Sequence, residues 1–247
     1  MSNEEIALEF VKRTDSRYQE IRNRHYVENN GTHGQQLHFV IHYKGNVVGI
    51  ISGASSVYGV GARDIFFGMP KDQELKQSLY LPAIINNTVF RLEFHEKNLA
   101  TRVLSLWRKV SAQLWEDIYG VKVLGFETFV VENDTRKGAL YKADNWDYLG
   151  ETKGNTKAHN KGGLTTQHTR TDTDKKLIYA KWATKKPIVP TIKYVSSWRS
   201  ETDAEKSRAK GIVEYKRRLL GLHITDISEV PTKLEMKPKE LFDLFED

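Results

Sequence analysis

The stretch that decides the fold is "DTRKGALYKADNWDYLGETKG", residues 134–154. A small pair, Gly138 and Ala139, precedes Leu140 and Tyr141, then come aromatic residues at Trp146 and Tyr148 and a glycine at Gly150. Small residues let a helix approach a sheet closely, and an aromatic run closed by glycine reads as turn and strand. The pattern predicts a short helix docked by its small face, with Asp134 as its cap, then a turn and a strand. Just upstream, "VKVLGFETFVV" (121–131) reads as a buried strand interrupted by Gly125, where another group comes close to the backbone.

Before that strand, Leu99, Val103, Leu106, Val110 and Leu114 recur every three or four residues, the period of an amphipathic helix. Asn98 stands as N-cap and Gly120 just past the end. "VFRLEFH" (89–95) predicts a preceding strand led by Asn86-Asn87, and 71–80 a polar helical stretch. "LHFVIHYKGNVVGIISG" (37–53) is two β-favouring runs split by Lys44-Gly45-Asn46, a hairpin. Leu37, Phe39, Ile41 and Tyr43 share one of its faces; His38, Val40 and His42 share the other. Residues 3–30 read as one helix closed by Asn29-Asn30-Gly31, 176–183 as a strand, and 203–220 as an amphipathic helix. Pro187 and Pro190 mark a boundary, so 1–186 is expected to form the main domain and 187–247 a helical C-terminal extension.

There are no cysteines, which excludes disulfide scaffolds, thiolate metal sites and cysteine nucleophiles. No run has the length of a membrane span and the N-terminus has no signal-peptide layout, so a cytoplasmic protein is expected. The net charge is +6, and residues 153–186 alone carry nine Lys and Arg against Asp172 and Asp174. A basic excess concentrated in one segment points to a phosphate-bearing partner, DNA above all, with Lys153, Lys157, Lys161 and Arg170 gripping the backbone. The plainer alternative is a solvated loop without a partner.

Hairpin, strand, long helix, strand, short small-faced helix and final strand is the element order of the GNAT acyltransferase fold. The spacing of Gly138-Ala139-Leu140-Tyr141, Trp146 and Gly150 resembles that fold's closing segment, with Asn145-Trp146 where Gly-Phe is usual. Over residues 17–183, the segments "GASSVYGVGARDIFFG", "NNTVFRL", "NLATRVL", "GFETFVV" and "KGALYKADNWDYLGETKG" resemble the DruA family of phage-defence and mobile-element proteins. The resemblance implies a mixed α/β (α+β) domain with a largely antiparallel central sheet flanked by helices. It also places the chain beside the Mom proteins of phages, which modify adenine in DNA. By that likeness His25 and Tyr26 of "RHY" border the active cleft, and a metal such as iron is implied, with His25 and Asp134 as its ligands. Acyl-CoA-binding GNAT members carry a glycine-rich turn at the start of the long helix. Here the place reads "HEKNLATR" (95–102) without glycine, leaving helix-terminal amides at Asn98 and the side chains of Lys97 and Arg102 to meet a phosphate. That phosphate belongs either to an acyl-CoA or aminoacyl-type donor, or to DNA or tRNA.

Glu127 shares a strand face with Val121, Val123, Gly125 and Phe129, so alternation does not send it to solvent. A carboxylate so placed either accepts a proton from an amine or is the buried partner of an arginine such as Arg63 or Arg91. Arg63-Asp64, in a glycine-rich bend, either brace the loop or orient a substrate. Asn86 and Asn87 either cap a turn or read an adenine edge. Tyr141 stands where GNAT enzymes keep a tyrosine that protonates the leaving thiolate; the bland reading is core packing with a satisfied hydroxyl. Trp146 and Tyr148 flank the basic loop and are stacking candidates. His38 and His42, on one strand face, are either a metal chelate or ordinary lining residues. The leading expectation is an enzyme that transfers an acyl or aminoacyl-derived group to a base amine, with Glu127 or Asp134 assisting deprotonation and Tyr141 the leaving group. The alternatives are a non-enzymatic DNA-binding component of a defence or mobile-element system, and a small-molecule N-acyltransferase.

Overall fold

The computed structural model describes residues 5–26, 34–133, 137–152, 175–185 and 215–230. Its frame is an eight-stranded sheet of order β6-β7-β5-β4-β3-β2-β1-β8. The strands are β1 (Ile6–Val11), β2 (Gln36–Tyr43), β3 (Asn46–Ser55), β4 (Ile84–Leu92), β5 (Gly125–Val131), β6 (Asp147–Glu151), β7 (Lys176–Trp182) and β8 (His223–Ile224). Only β4 and β5 pair in parallel; every other neighbouring pair is antiparallel. The helices are α1 (Ser16–Asn23), α2 (Gly61–Phe66), α3 (Gln73–Leu75), which runs on as a π turn over Lys76–Tyr80, α4 (Leu99–Tyr119) and α5 (Ala139–Ala143). No described helix is long and apolar enough to cross a membrane. This is the mixed, mostly antiparallel sheet with flanking helices expected from the element order.

The hairpin turns at Lys44 and Gly45, both with positive φ (51° and 79°), the geometry whose twist matches paired strands. Leu37, Phe39, Ile41 and Tyr43 join the large core under α4, whereas Val40 packs on the other face with Tyr18 and Ile21 of α1. α4 buries Leu99, Val103, Leu106, Trp107, Val110, Leu114 and Trp115 against the sheet. Burying one such side chain is worth about 1.5–3 kcal/mol, so this face anchors the fold. Gly120 ends α4 with φ 69°. Asn98 occupies the N-cap position, but in a left-handed conformation and without a side-chain cap bond. The expected side-chain cap is therefore not made; the Asn98 carbonyl accepts the first helical bond, from the Arg102 amide at 3.0 Å.

Three boundaries differ from expectation. Residues 3–30 are not one helix: Ile6–Val11 is an edge-side strand, fully paired with β2, and of the described residues in that span Ser16–Asn23 is helical, Asn29-Asn30-Gly31 lying outside them. Ile6, Leu8 and Phe10 bury on one face while Glu9 is satisfied on the other by Arg17 and His42, so a period of two was present beneath an apparent helical one. Asp15 caps α1, accepting from the amides of Arg17 and Tyr18. β4 begins at Ile84 rather than 89, so Asn86 and Asn87 lie within the strand. From the segment assigned to the C-terminal extension, 215–219 is helical, β8 adds the eighth strand beside β1, and Tyr215, Leu219, Ile224 and Val230 enter the same core.

His38 and His42 do not chelate together. His38 Nδ1 bonds Ser52 Oγ at 3.0 Å and Nε2 bonds Gln36 Oε1 at 3.1 Å, whereas His42 bonds Glu9. Burial pushes His38 down to about 4, so the folded protein holds it neutral while the unfolded chain binds its proton near pH 6.5. The stability this supplies is complete above about pH 6.5 and is lost as pH falls through about 4, up to about 3 kcal/mol. Urea unfolding at pH 7 and pH 4.5 should show this loss, and His38→Gln should reduce it.

Candidate functional site

β4 and β5 stay paired for only three rungs, Ile84 with Gly125, Ile85 with Phe126 and Asn86 with Glu127. Beyond these β4 runs on against β3 to Leu92, and β5 against β7 to Val131, so the two strands part toward their carboxyl ends. Because α4 is the crossover between parallel strands, it starts at that open end, and α5 follows β5 there. The turn that leads into α4 is tied to the β2–β3 hairpin, Tyr43 donating to Glu96 at 2.6 Å and stacking on Phe94. The crevice between strands that part at their carboxyl ends is where open sheets receive ligands.

Tyr141 stands at the fork. Its hydroxyl donates to Asn87 Oδ1 at 2.8 Å, while Thr128, the first residue past the last rung, donates to the Asn87 carbonyl at 3.1 Å. Asn87 Nδ2 donates to the carbonyls of Ser52 and Val89, which fixes the amide. The Tyr141 ring stacks on Tyr179 at 5.7 Å and meets Trp146 edge-on at 5.1 Å. Burial pushes the Tyr141 phenol above its ordinary value, and the nearby Tyr26 phenol adds to the shift while Thr128 opposes it. The group therefore keeps its proton at neutral pH and is no base, and it is a weaker acid than a solvated phenol. α5 is held by Gly138, whose positive φ of 68° and contact with Tyr179 leave no space for a side chain, and by Arg108 of α4, paired with Asp144 at 2.9 Å.

Tyr26 follows α1 and adds to the upward shift of the Tyr141 phenol. The end of α1 is tied to β4 by an Arg91 guanidinium bond to the Arg24 carbonyl and by Arg24 with Glu93 at 3.4 Å. His25 and Tyr26 stack on one another at 4.4 Å, with Tyr26 exposed. The structure thus brings together Tyr141, Asn87 and Thr128.

Glu127 is not part of that group. Its neighbour Thr128 faces Tyr141, so alternation turns Glu127 to the α2 face, where it is fully buried. Arg63, also fully buried, donates to Glu127 Oε2 at 2.8 Å, and the Ser56 hydroxyl bonds Oε1. Burial pushes the Glu127 carboxyl up, against the pull of Arg63 and Ser56. With both oxygens engaged and no exposure it has no route to an amine, which corrects its expected role as proton acceptor. Arg63 also holds Asp64 at 2.7 Å and the Val57 carbonyl at 2.7 Å, and Asp64 is bonded by Lys76 at 2.8 Å. Against the upward push of burial, Lys76 and Arg63 keep Asp64 below its ordinary value. Arg63 and Asp64 therefore brace the bend and do not face a substrate. Gly125 lies beneath this lid: a Cβ there would stand 2.3 Å from the Phe67 ring, the close approach expected at that glycine.

Two further expectations are corrected. Asn86 and Asn87 are buried in β4 and do not present their amides to a base; Asn86 Oδ1 has no hydrogen-bond partner among the described residues. Trp146 is core, donating to Asp144 at 2.7 Å and packed on Tyr141, because the turn at Asn145 (φ 56°) folds it inward. Tyr148 is half exposed on β6 beside Tyr179 and remains available for stacking. Lys97 and Asn98 are exposed in the turn before α4, and Arg102 is half-buried on its first turn. Asp134, Lys153, Lys157, Lys161 and Arg170 lie outside the described residues. His25 belongs to no group of three metal-ligating side chains among the described residues, and Asp134, its expected co-ligand, lies outside them, so no step is derived through the implied iron. Thr128 and the Arg108–Asp144 clamp were not anticipated; a threonine inside an apolar strand run was the one signal for the former.

The fold and the fork define a mixed α/β protein whose sheet opens beside the start of its longest helix. The family model described as DruA, Druantia protein DruA, matches residues 2–185, and the chain belongs to that family. No curated protein matches the chain. Among solved structures, Arabidopsis thaliana NAA60 in complex with a bisubstrate analogue is similar at 10% identity and a TM-score of 0.43, over 72% of this chain and 97% of that one. A mutant spermidine N-acetyltransferase from Vibrio cholerae is similar at 10% identity and 0.41, over 73% and 95%. An acetyltransferase from Salmonella typhimurium that modifies the N-terminal serine of a ribosomal subunit protein is similar at 12% and 0.37, over 60% of this chain and 64% of its own. The chain spans just under two thirds of that last enzyme. Likenesses of this size carry no statement about chemistry.

Proposed function

We propose that the protein is a group-transfer enzyme that places an acyl or aminoacyl-derived group on a nucleic-acid base amine, in a phage or anti-phage setting. The observation that carries this reading is the parting of β4 and β5 after three rungs, with the Tyr141 hydroxyl fixed at the fork. The donor enters the fork with its anionic part against the first turn of α4, near Lys97, Asn98 and Arg102. The acceptor amine attacks the acyl carbonyl, a new C–N bond forms, and the bond from the acyl carbon to the leaving group breaks. Tyr141, protonated at neutral pH, gives its proton to the leaving group. His25, at the mouth beside Tyr26, takes the proton from the amine. The basic segment with Lys153, Lys157, Lys161 and Arg170 holds the phosphate backbone of DNA or tRNA.

A second reading, a DNA-binding component without chemistry, is favoured by the sealed Glu127 and the glycine-free start of α4. Titrations with acetyl-CoA and with duplex DNA, each at two salt concentrations, separate the two. The enzyme reading expects saturable acyl-CoA binding that Lys97→Glu weakens, together with salt-sensitive DNA binding. Steeply salt-dependent DNA binding with no affinity for acyl-CoA supports the second.

A further inference from the structure

At the far edge of the sheet from the fork, Glu9 of β1, His42 of β2 and His223 of β8 converge. Their ligand atoms all lie within 4.8 Å of one another. Glu9 Oε2 is 2.7 Å from His42 Nε2 and 3.6 Å from His223 Nε2, and the two imidazole rings are 4.2 Å apart. We propose that Glu9, His42 and His223 bind one borderline divalent transition-metal ion, of which Zn2+ is the representative, and that the ion clamps β8 onto the sheet.

The donor set suits such an ion: two neutral imidazoles and one carboxylate are the ligands of three-residue zinc sites that keep a position open. A tetrahedral ion with bonds of about 2.0–2.1 Å sets its donors roughly 3.3 Å apart, between the separations observed here. The outer groups are also in place. Arg17 Nη2 donates to Glu9 Oε1 at 2.7 Å and would hold the carboxylate by that oxygen while the ion takes Oε2. Arg17 Nη1, which shares Oε2 at 2.8 Å, must yield. Asp15 bonds the same guanidinium at 2.9 Å, so Glu9, Asp15 and Arg17 together leave one net negative charge to meet the cation. The proton shared between His42 Nε2 and Glu9 moves to Nδ1 or to solvent when the nitrogen becomes a ligand. His223 is half exposed, so the site is open to solvent on the β8 side.

The fold supplies a need for the clamp. β8 makes only two rungs with β1, Leu8 with Ile224 and Glu9 with His223, a pairing too short to hold a segment by itself. One of those rungs contains two of the three ligands.

The test uses the tag-free full chain, stripped with chelator and titrated with Zn2+ calorimetrically and with Co2+ by visible absorption. One ion per chain is expected, with a thermal midpoint raised by about 5 °C or more at a hundredfold excess over Kd. His223→Ala, at a half-exposed position, should fold and lose affinity at least a hundredfold, along with the midpoint shift. His95→Ala, an exposed histidine elsewhere, should retain both. Absence of binding by the parent chain, or equal binding by His223→Ala, overturns the proposal.

Discussion

Arg63→Ala is expected to lower stability by about 3–5 kcal/mol, the cost of leaving a buried charge without its partner. Arg63 and Glu127 are both fully buried and joined at 2.8 Å. Asp64 and the Val57 carbonyl depend on the same guanidinium. Removing it leaves the buried Glu127 without a countercharge, held only by Ser56 and the Val57 amide, and Asp64 with only Lys76. Arg63→Met combined with Glu127→Leu removes both charges of the inner pair and should be milder than the single change. Urea midpoints of the three proteins measure this. A single-variant loss below about 1 kcal/mol, the level of an exposed ion pair, would show that the Arg63 lid is not a structural centre.

Gly138→Ala is the second large effect. The residue holds φ at 68°, and a Cβ would stand 2.3 Å from the Tyr179 hydroxyl. The left-handed conformation costs an L-residue about 1–2 kcal/mol, and overpacking adds about 1–3 kcal/mol. For a chain of this length the sum is a fall in Tm of roughly 5–15 °C. Because α5 docks through Gly138, the same change shifts Tyr141 off Asn87, so any transfer activity should fall further than the lost stability explains. Tyr179→Leu in the Gly138→Ala background opens space and should recover part of the Tm. An unchanged Tm in Gly138→Ala would mean that α5 is not seated as described.

Much of the frame was legible because its causes are local. The hairpin needed only Lys44-Gly45 between alternating runs, α4 only its apolar period, and Gly125 and Gly138 only the rule that a glycine in a packed segment marks close approach. β1 was misread because its polar position, Glu9, is buried. Its partners are Arg17, eight residues on, and His42 on the neighbouring strand, and no window along the chain contains that network. The site was legible in part. Tyr141 was singled out by the resemblance of its segment, but that Thr128 and not Glu127 faces it depends on which face of β5 carries α5, and that is a tertiary fact. Trp146 shows the same limit: an aromatic beside a basic loop reads as exposed until the left-handed Asn145 turns it inward.

Group transfer at the fork between β4 and β5, with Tyr141 as proton donor, would leave its product in cellular DNA. Nucleosides from the DNA of cells expressing the protein, analysed by mass spectrometry beside cells expressing Tyr141→Phe, test it most directly. A base carrying an added acyl-type mass is expected in the first sample and a fall of about a hundredfold or more in the second, the range of a lost general acid. Identical, unmodified nucleosides in both samples, with DNA binding intact in the purified protein, would contradict it.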